Sequence, residues 1–217
     1  MTKLCIFDLD GTLADTLTSI AYFSNASLLR FGLKEIEKEK YKKMVGNGAK
    51  TLVRRMIDAV GGTDEQFEKV LEDYVRTYDE DFMYLTTAFD GIIDMLKELK
   101  NNGTKVAILS NKPDSTVKKI SEELFGDALV DLCYGARENV PLKPDPTAVL
   151  GIIEEFGVSP EDCLYIGDTN TDIQTAKNAG LTSIGVLWGF RDREELASSG
   201  ADYIVSHPLE ISQIAIN

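Results

Sequence analysis

Several residue types are scarce in this chain of 217 residues, which has one histidine, one tryptophan, six prolines and three cysteines. Each shortage narrows what the protein can be. Cys5, Cys133 and Cys163 cannot all pair, and their spacing matches no zinc pattern. Each lies in or beside a short apolar stretch, so they read as buried free thiols of a cytoplasmic, reducing environment. No apolar run approaches the roughly 18 residues of a membrane span. The opening run Leu4-Cys5-Ile6-Phe7 is too short for a secretory signal and ends on an acid. Basic residues are outnumbered, 23 Lys and Arg against 36 Asp and Glu, for a formal net charge of −13. No Lys/Arg run overrides that field, which argues against nucleic acid and membrane partners. A phosphate ligand would meet the same repulsion, so a phosphate site must bring its own positive charge through a metal, a lysine or backbone N–H groups.

Internal repeats and low-complexity segments are also missing. What is present alternates between short apolar runs and amphipathic stretches. Residues 3–7, 105–109, 164–166 and 183–186 read as buried parallel strands, with 130–134 and 203–205 as weaker candidates. Their unbroken apolar runs suit strands covered on both faces. Phe89, Ile92, Ile93, Leu96 and Leu99 fall at helical spacing before Asn102-Gly103, and Val149, Ile152, Ile153 and Phe156 do so before Gly157. Strand, helix, strand, repeated, predicts an α/β fold with a doubly wound parallel sheet. Between Asp15 and about Leu85 only helical patterns occur, punctuated by Gly46-Asn47-Gly48 and Gly61-Gly62. Some 70 residues is too long for one crossover. The expected organisation is therefore a core of residues 1–15 and 86–217 with a helical lobe, residues 16–85, inserted after the first strand.

Four segments carry chemistry. Asp8 and Asp10, in Phe7-Asp8-Leu9-Asp10-Gly11-Thr12-Leu13, follow the first strand at the edge where open α/β sheets bind ligands. Two close carboxylates repel, so one tends to hold a proton unless a cation intervenes. That asymmetry suits one nucleophile and one acid/base. Gly11 permits a tight turn whose N–H groups can face an oxyanion. Alone, the pair reads equally as two solvated acids in a turn. Ser110 and Asn111, at the next strand end, can clamp a phosphate or simply cap a helix. Lys143 lies among Pro141, Pro144 and Pro146. Those prolines restrict its backbone, and a fixed lysine can neutralise charge developing in a transition state. Most lysines, however, only solvate a surface. Asp168 and Asp172, in Gly167-Asp168-Thr169-Asn170-Thr171-Asp172, offer hard oxygen ligands suited to Mg²⁺. The alternative there is Asp168 as a helix cap with Asp172 on the surface. All four segments sit at predicted strand ends, which four separate accidents explain poorly.

The chain resembles the haloacid dehalogenase-like hydrolases, and within them the phosphoglycolate phosphatase-like group. The resemblance spans essentially the whole sequence and is carried in order by Asp-x-Asp-Gly-Thr-Leu at 8–13, Ser110, Lys143 and Gly-Asp-x-x-x-Asp at 167–172. It implies that Asp8 attacks phosphorus and forms an aspartyl-phosphate. Asp10 would protonate the leaving oxygen and then activate water. Mg²⁺ would be held by the Asp8 carboxylate, the Asp10 backbone carbonyl and Asp168, with Asp172 in an outer shell. Ser110, Lys143 and the N–H groups near Gly11, Thr12 and Asn111 would hold the phosphoryl group. The inserted helices would form the family's cap, with Asn47, Lys50 and Arg54 as candidates for the substrate's other end.

The segment at 185–191, Gly-Val-Leu-Trp-Gly-Phe-Arg, is similar to one in phosphoglycolate phosphatases and related bacterial pyrophosphatases. The expected substrate is a small phosphorylated metabolite such as 2-phosphoglycolate, with pyrophosphate a close competitor. A phosphosugar mutase is weakened because that subgroup typically has a cap histidine, whereas His207 lies far from the cap and reads as a helix-start residue. A dehalogenase would lack the second acid that Asp10 provides. A receiver-like phospho-aspartate regulator has a similar acidic pocket, but it is about half as long and carries its acceptor on a later strand. Nothing in the sequence separates monomer from homodimer.

Overall fold

The computed structural model describes residues 2–216. In chain order the elements are β1 (Leu4–Phe7), β2 (Ala14–Asp15), α1 (Leu17–Arg30), α2 (Lys38–Tyr41), α3 (Ala49–Val60), α4 (Asp64–Glu80), β3 (Thr87–Ala88), α5 (Ile92–Asn101), β4 (Lys105–Pro113), α6 (Asp114–Leu124), α7 (Gly126–Leu129), β5 (Leu132–Ala136), α8 (Thr147–Phe156), β6 (Cys163–Gly167), α9 (Asn170–Ala179), β7 (Thr182–Val186), α10 (Arg193–Ser198), β8 (Tyr203–Val205) and α11 (Pro208–Ile216). The main sheet runs β5-β4-β1-β6-β7-β8, all parallel.

Alternation along the central strands explains why the sheet is covered twice. Cys5 and Phe7, Val106 and Ile108, and Leu164 and Ile166 point to one face, where Leu96 and Leu99 of α5, Ile120 of α6 and Ile211 of α11 cover them. Leu4 and Ile6, Ala107 and Leu109, and Cys163 and Tyr165 point to the other, against Val149 and Ile152 of α8 and Ala176 of α9. Successive side chains on a strand face opposite ways, so a continuous apolar run becomes two cores. From β1 the chain builds outward to β4 and β5, then returns to lay β6 on the other side of β1. The order reverses at β1/β6, where open sheets leave a crevice at their carboxyl ends.

The helices between β2 and β3 hold a third cluster of their own, including Phe23, Leu28, Met56, Ile57, Phe67 and Tyr74. They form the inserted cap. One short strand pair invisible to periodicity, β2 with β3, joins it to the core: Ala14 faces Ala88 and Asp15 faces Thr87 in an antiparallel ladder. Two-residue strands leave no repeating pattern to read. The strand expected to end at residue 109 instead runs to Pro113. Its pairing with β5 steps from Leu109↔Tyr134 to Pro113↔Ala136, four residues against two. The surplus bulges out of the ladder at Ser110, Asn111 and Lys112, which lie on the carboxyl edge.

Candidate active site

Asp8 is the first residue beyond β1 and is buried. Its Oδ1 accepts the Leu9 N–H at 2.7 Å and faces the Lys143 ammonium at 2.9 Å. Oδ2 receives no hydrogen bond from the described residues. Gly11 and Thr12 follow in a turn that uses their N–H groups internally, Gly11 to the Ala14 carbonyl at 2.9 Å and Thr12 to the Leu9 carbonyl at 3.2 Å. This corrects the expectation that those two N–H groups face an oxyanion. The Thr12 hydroxyl instead donates to Asp168 Oδ1 at 3.2 Å.

Lys143 is fixed from three sides. Its ammonium donates to Asp172 Oδ1 at 2.8 Å and to the Leu109 carbonyl at 3.1 Å besides facing Asp8. Its backbone is gripped by Asn111, whose Oδ1 accepts the Lys143 N–H at 2.9 Å and whose Nδ2 donates to the Lys143 carbonyl at 3.1 Å. The same Nδ2 reaches the Gly46 carbonyl of the cap at 3.0 Å. Asn111 is therefore a brace between lysine loop and cap, not a helix cap. Ser110 is buried beside it, and its Oγ accepts the Lys112 N–H at 3.3 Å.

Asp168 and Asp172 follow β6. Thr169, not Asp168, caps α9: its side chain accepts the Asp172 N–H while the Asp172 carboxylate takes the Thr169 N–H at 3.1 Å and hydroxyl at 2.6 Å. This reciprocal box frees Asp168 to face the site. Asp168 Oδ2 accepts the Phe190 N–H at 2.7 Å. Two glycines make room for that carboxylate. Gly11 sits at φ 85°, and a Cβ there would lie 2.9 Å from Asp168 Cγ; a Cβ on Gly189 would collide with the Asp168 side chain and the Gly11 carbonyl. The segment at 185–191 thus packs against the site, with Trp188 Nε1 donating to the Thr12 carbonyl at 2.9 Å.

One carboxylate oxygen from each of Asp8, Asp168 and Asp172 lies within 4.8 Å of the others. Fully ionised, these three buried carboxylates against one ammonium would carry an excess of two negative charges. Burial pushes the Asp8 carboxyl up to about 7; Lys143 opposes this, while Asp172 and Asp10 add repulsion. Burial likewise holds Asp168 well above the usual carboxylate range, with Asp172 and Asp8 contributing. Burial also opposes charge on Lys143, but Asp172 and Asp8 outweigh it and raise its pKa. A divalent cation would balance the excess. Asp172 already meets Lys143 on one oxygen and Thr169 twice on the other, so Asp8 and Asp168 are the better placed ligands.

Asp10 stands apart from this group. Its Oδ1 and Oδ2 accept from Lys112 Nζ at 3.0 and 3.2 Å in a buried pair. Lys112 carried no expected role. Asp10, Lys112, Asp8 and Ser110 line a cavity of about 50 Å³ roofed by Ile20, Val45, Leu52, Tyr74 and Tyr78 of the cap. Asn47, Lys50 and Arg54 are not among its lining residues. Asn47 donates to Thr171 at 3.2 Å and accepts from Arg55 at 2.9 Å. Lys50 is exposed. Arg54 pairs with Asp64 at 2.7 Å and lies over the Phe67 ring. Arg191, from the core, donates to the cap carbonyls of Lys42 and of Val45, the latter at 3.3 Å.

The sequence profile described as haloacid dehalogenase-like hydrolase matches residues 5–186. A phosphoglycolate phosphatase of Aquifex aeolicus is 32% identical over 215 residues, covering 99% of this chain and 97% of that one. Phosphoglycolate phosphatase 1 of Pseudomonas aeruginosa is 31% identical over 213 residues, 95% of this chain and 77% of its own. A crystal structure from Haemophilus somnus, described as a predicted phosphoglycolate phosphatase, matches with TM-score 0.92 and 27% identity over 98% of this chain and 97% of that one. With the four motif segments converging on one sheet edge beneath an inserted cap, the chain belongs to the haloacid dehalogenase-like hydrolases, in their phosphoglycolate phosphatase-like group.

Proposed function

We propose that the protein is a Mg²⁺-dependent phosphatase of small phosphomonoesters such as 2-phosphoglycolate, working through an aspartyl-phosphate on Asp8. The observation that carries this reading is the state of Asp8: buried, its Oδ1 held by Lys143 and the Leu9 N–H, its Oδ2 free of donors. In the first step Oδ2 attacks phosphorus, the ester P–O bond breaks, and the leaving oxygen takes a proton from Asp10. In the second, water attacks the aspartyl-phosphate, gives a proton back to Asp10, and releases inorganic phosphate with free Asp8. Asp10, a carboxylate in its pair with Lys112, must leave that ammonium and take up a proton from solvent before the first turnover; in later turnovers the proton is the one returned by the attacking water. Lys143 and Ser110 would hold the phosphoryl oxygens, and Asp172 would position Lys143. A cation bound by Asp8 and Asp168 supplies further neutralisation of phosphoryl charge. The cap, taken as residues 16–85, excludes water from the pocket.

The test is hydrolysis of p-nitrophenyl phosphate and 2-phosphoglycolate with Mg²⁺ and with a chelator, by wild type and Asp8→Asn. Both substrates should turn over only with metal and wild-type enzyme. Turnover by Asp8→Asn would remove the covalent route, and robust turnover under chelation would remove the metal.

A further inference from the structure

Lys112 is the feature that the mechanism above leaves unexplained. Burial opposes charge on a lysine, and an isolated buried ammonium is costly. Here the residue is only 8% exposed, yet the hydrogen bonds of its Nζ among the described residues go to Asp10 alone. An ammonium has three donors, so capacity is left over. Nζ stands 4.2 Å from the centre of the Tyr78 ring, a face that favours a cation. The Tyr78 hydroxyl is itself buried and has no hydrogen-bond partner. Both residues line the cavity. The cavity therefore has a phosphoryl end at Asp8 and Ser110, apolar walls at Ile20, Val45 and Leu52, and, beside Asp10, the Lys112 ammonium with donor capacity left over and the Tyr78 hydroxyl.

Those two groups answer a compact anion. A sugar would bring several hydroxyls to apolar walls that cannot satisfy them. A short leaving group ending in a carboxylate would place one negative charge against Lys112 and offer an acceptor to Tyr78. Resting on the phosphatase reading, we propose that Lys112, with the Tyr78 hydroxyl, is the specificity determinant that selects phosphate esters whose leaving group carries a carboxylate. Its position beside Asp10 couples the two events: a substrate carboxylate competes for the ammonium that otherwise holds Asp10, so the acid is released when the acidic substrate is bound.

The test compares kcat/KM for 2-phosphoglycolate and for 2-hydroxyethyl phosphate, which replaces the carboxylate by a neutral group of similar size. Wild type should favour phosphoglycolate by about 10- to 100-fold, the range of a charge-assisted hydrogen bond. Lys112→Met should abolish that preference, Lys112→Arg should keep most of it, and Tyr78→Phe should reduce it by a few-fold. Equal losses on both esters in Lys112→Met would overturn the proposal and leave Lys112 as a partner of Asp10 only. Wild type lacking the preference would overturn it while the phosphatase reading stands; wild type favouring pyrophosphate would overturn it together with the monoester reading. Failure to hydrolyse any phosphate ester would sink both. If Lys112→Met does not fold, Asp10→Asn/Lys112→Met removes the unpaired buried carboxylate as well. Compared with Asp10→Asn, it should bind 3-phosphonopropionate about tenfold or more weakly and 3-hydroxypropylphosphonate equally; equal binding of both would again overturn the proposal.

Discussion

Asp8 and Lys143 are the residues on which the charge balance turns. Because burial raises the Asp8 pKa to about 7, the metal-free fold favours its protonated form. The sign follows from linkage: that stability is full below the unfolded value near 4 and is lost as pH rises towards 7. A bound cation reverses the loss. Mg²⁺ should therefore raise the melting temperature more at pH 7.5 than at about pH 5, and binding at pH 7 should release protons. Calorimetry in two buffers of different ionisation enthalpy measures the release; its absence would mean that Asp8 is already ionised without metal. Lys143→Met takes from the buried Asp8 and Asp172 carboxyls the one ammonium that both face, and at pH 7.5 should destabilise the metal-free protein by about 3–5 kcal/mol, read by urea denaturation. A loss under about 1 kcal/mol would show that water reaches the pair. Asp8, Lys143, Asp168 and Asp172 were legible as candidates because each follows a recognisable strand or sits in a proline frame. Lys112 was not, since its partner Asp10 lies 102 residues away. Only the register of β1 against β4, Phe7 beside Ile108, brings the two together.

At the level of elements, legibility followed length and burial. The central strands announced themselves because both faces are covered, so residues 4–7, 106–109 and 163–166 read as unbroken apolar runs. The β2–β3 ladder and the bulge at the end of β4 did not, because two residues carry no period and a bulge is a relation between strands. The cap residues at the cavity differ from the expected ones for a similar reason. Lys50 and Arg54 look suitable in sequence, but α3 turns Arg54 onto Phe67 and Asp64, while Ile20, Val45, Leu52, Tyr74 and Tyr78 line the cavity from the cap. Helix α4 is also tied to the core where Asp79 accepts from Thr116 and Lys119, both at 2.9 Å. The pair is partly solvated, so its worth is about 0.2–1 kcal/mol. Asp79→Ala should leave the melting temperature within about 3 °C. It should speed amide exchange in residues 64–80 by up to about fivefold. Unchanged exchange would mean that the other core–cap contacts, among them Arg191 to Lys42 and Val45 and Asn111 to Gly46, hold the cap down without Asp79.

For the whole molecule the acidic balance sets the terms of encounter. A net charge of −13 repels a phosphate ester until it comes within reach of Lys112, Lys143 and the cation that the proposed mechanism requires. Those positive charges are buried and local, whereas the repulsion acts over a screening length. Between about 10 mM and about 150 mM salt that length falls from roughly 30 Å to roughly 8 Å. The long-range term is then largely removed, while contacts inside the pocket are screened much less. Raising salt over this range at fixed Mg²⁺ should therefore increase kcat/KM for 2-phosphoglycolate by about two- to fivefold and leave kcat nearly constant. A steady fall in kcat/KM would show that the positive pocket, and not the acidic surface, governs approach. A parallel change in kcat would place the effect on the chemical step or on cap motion, since encounter contributes nothing once substrate is bound.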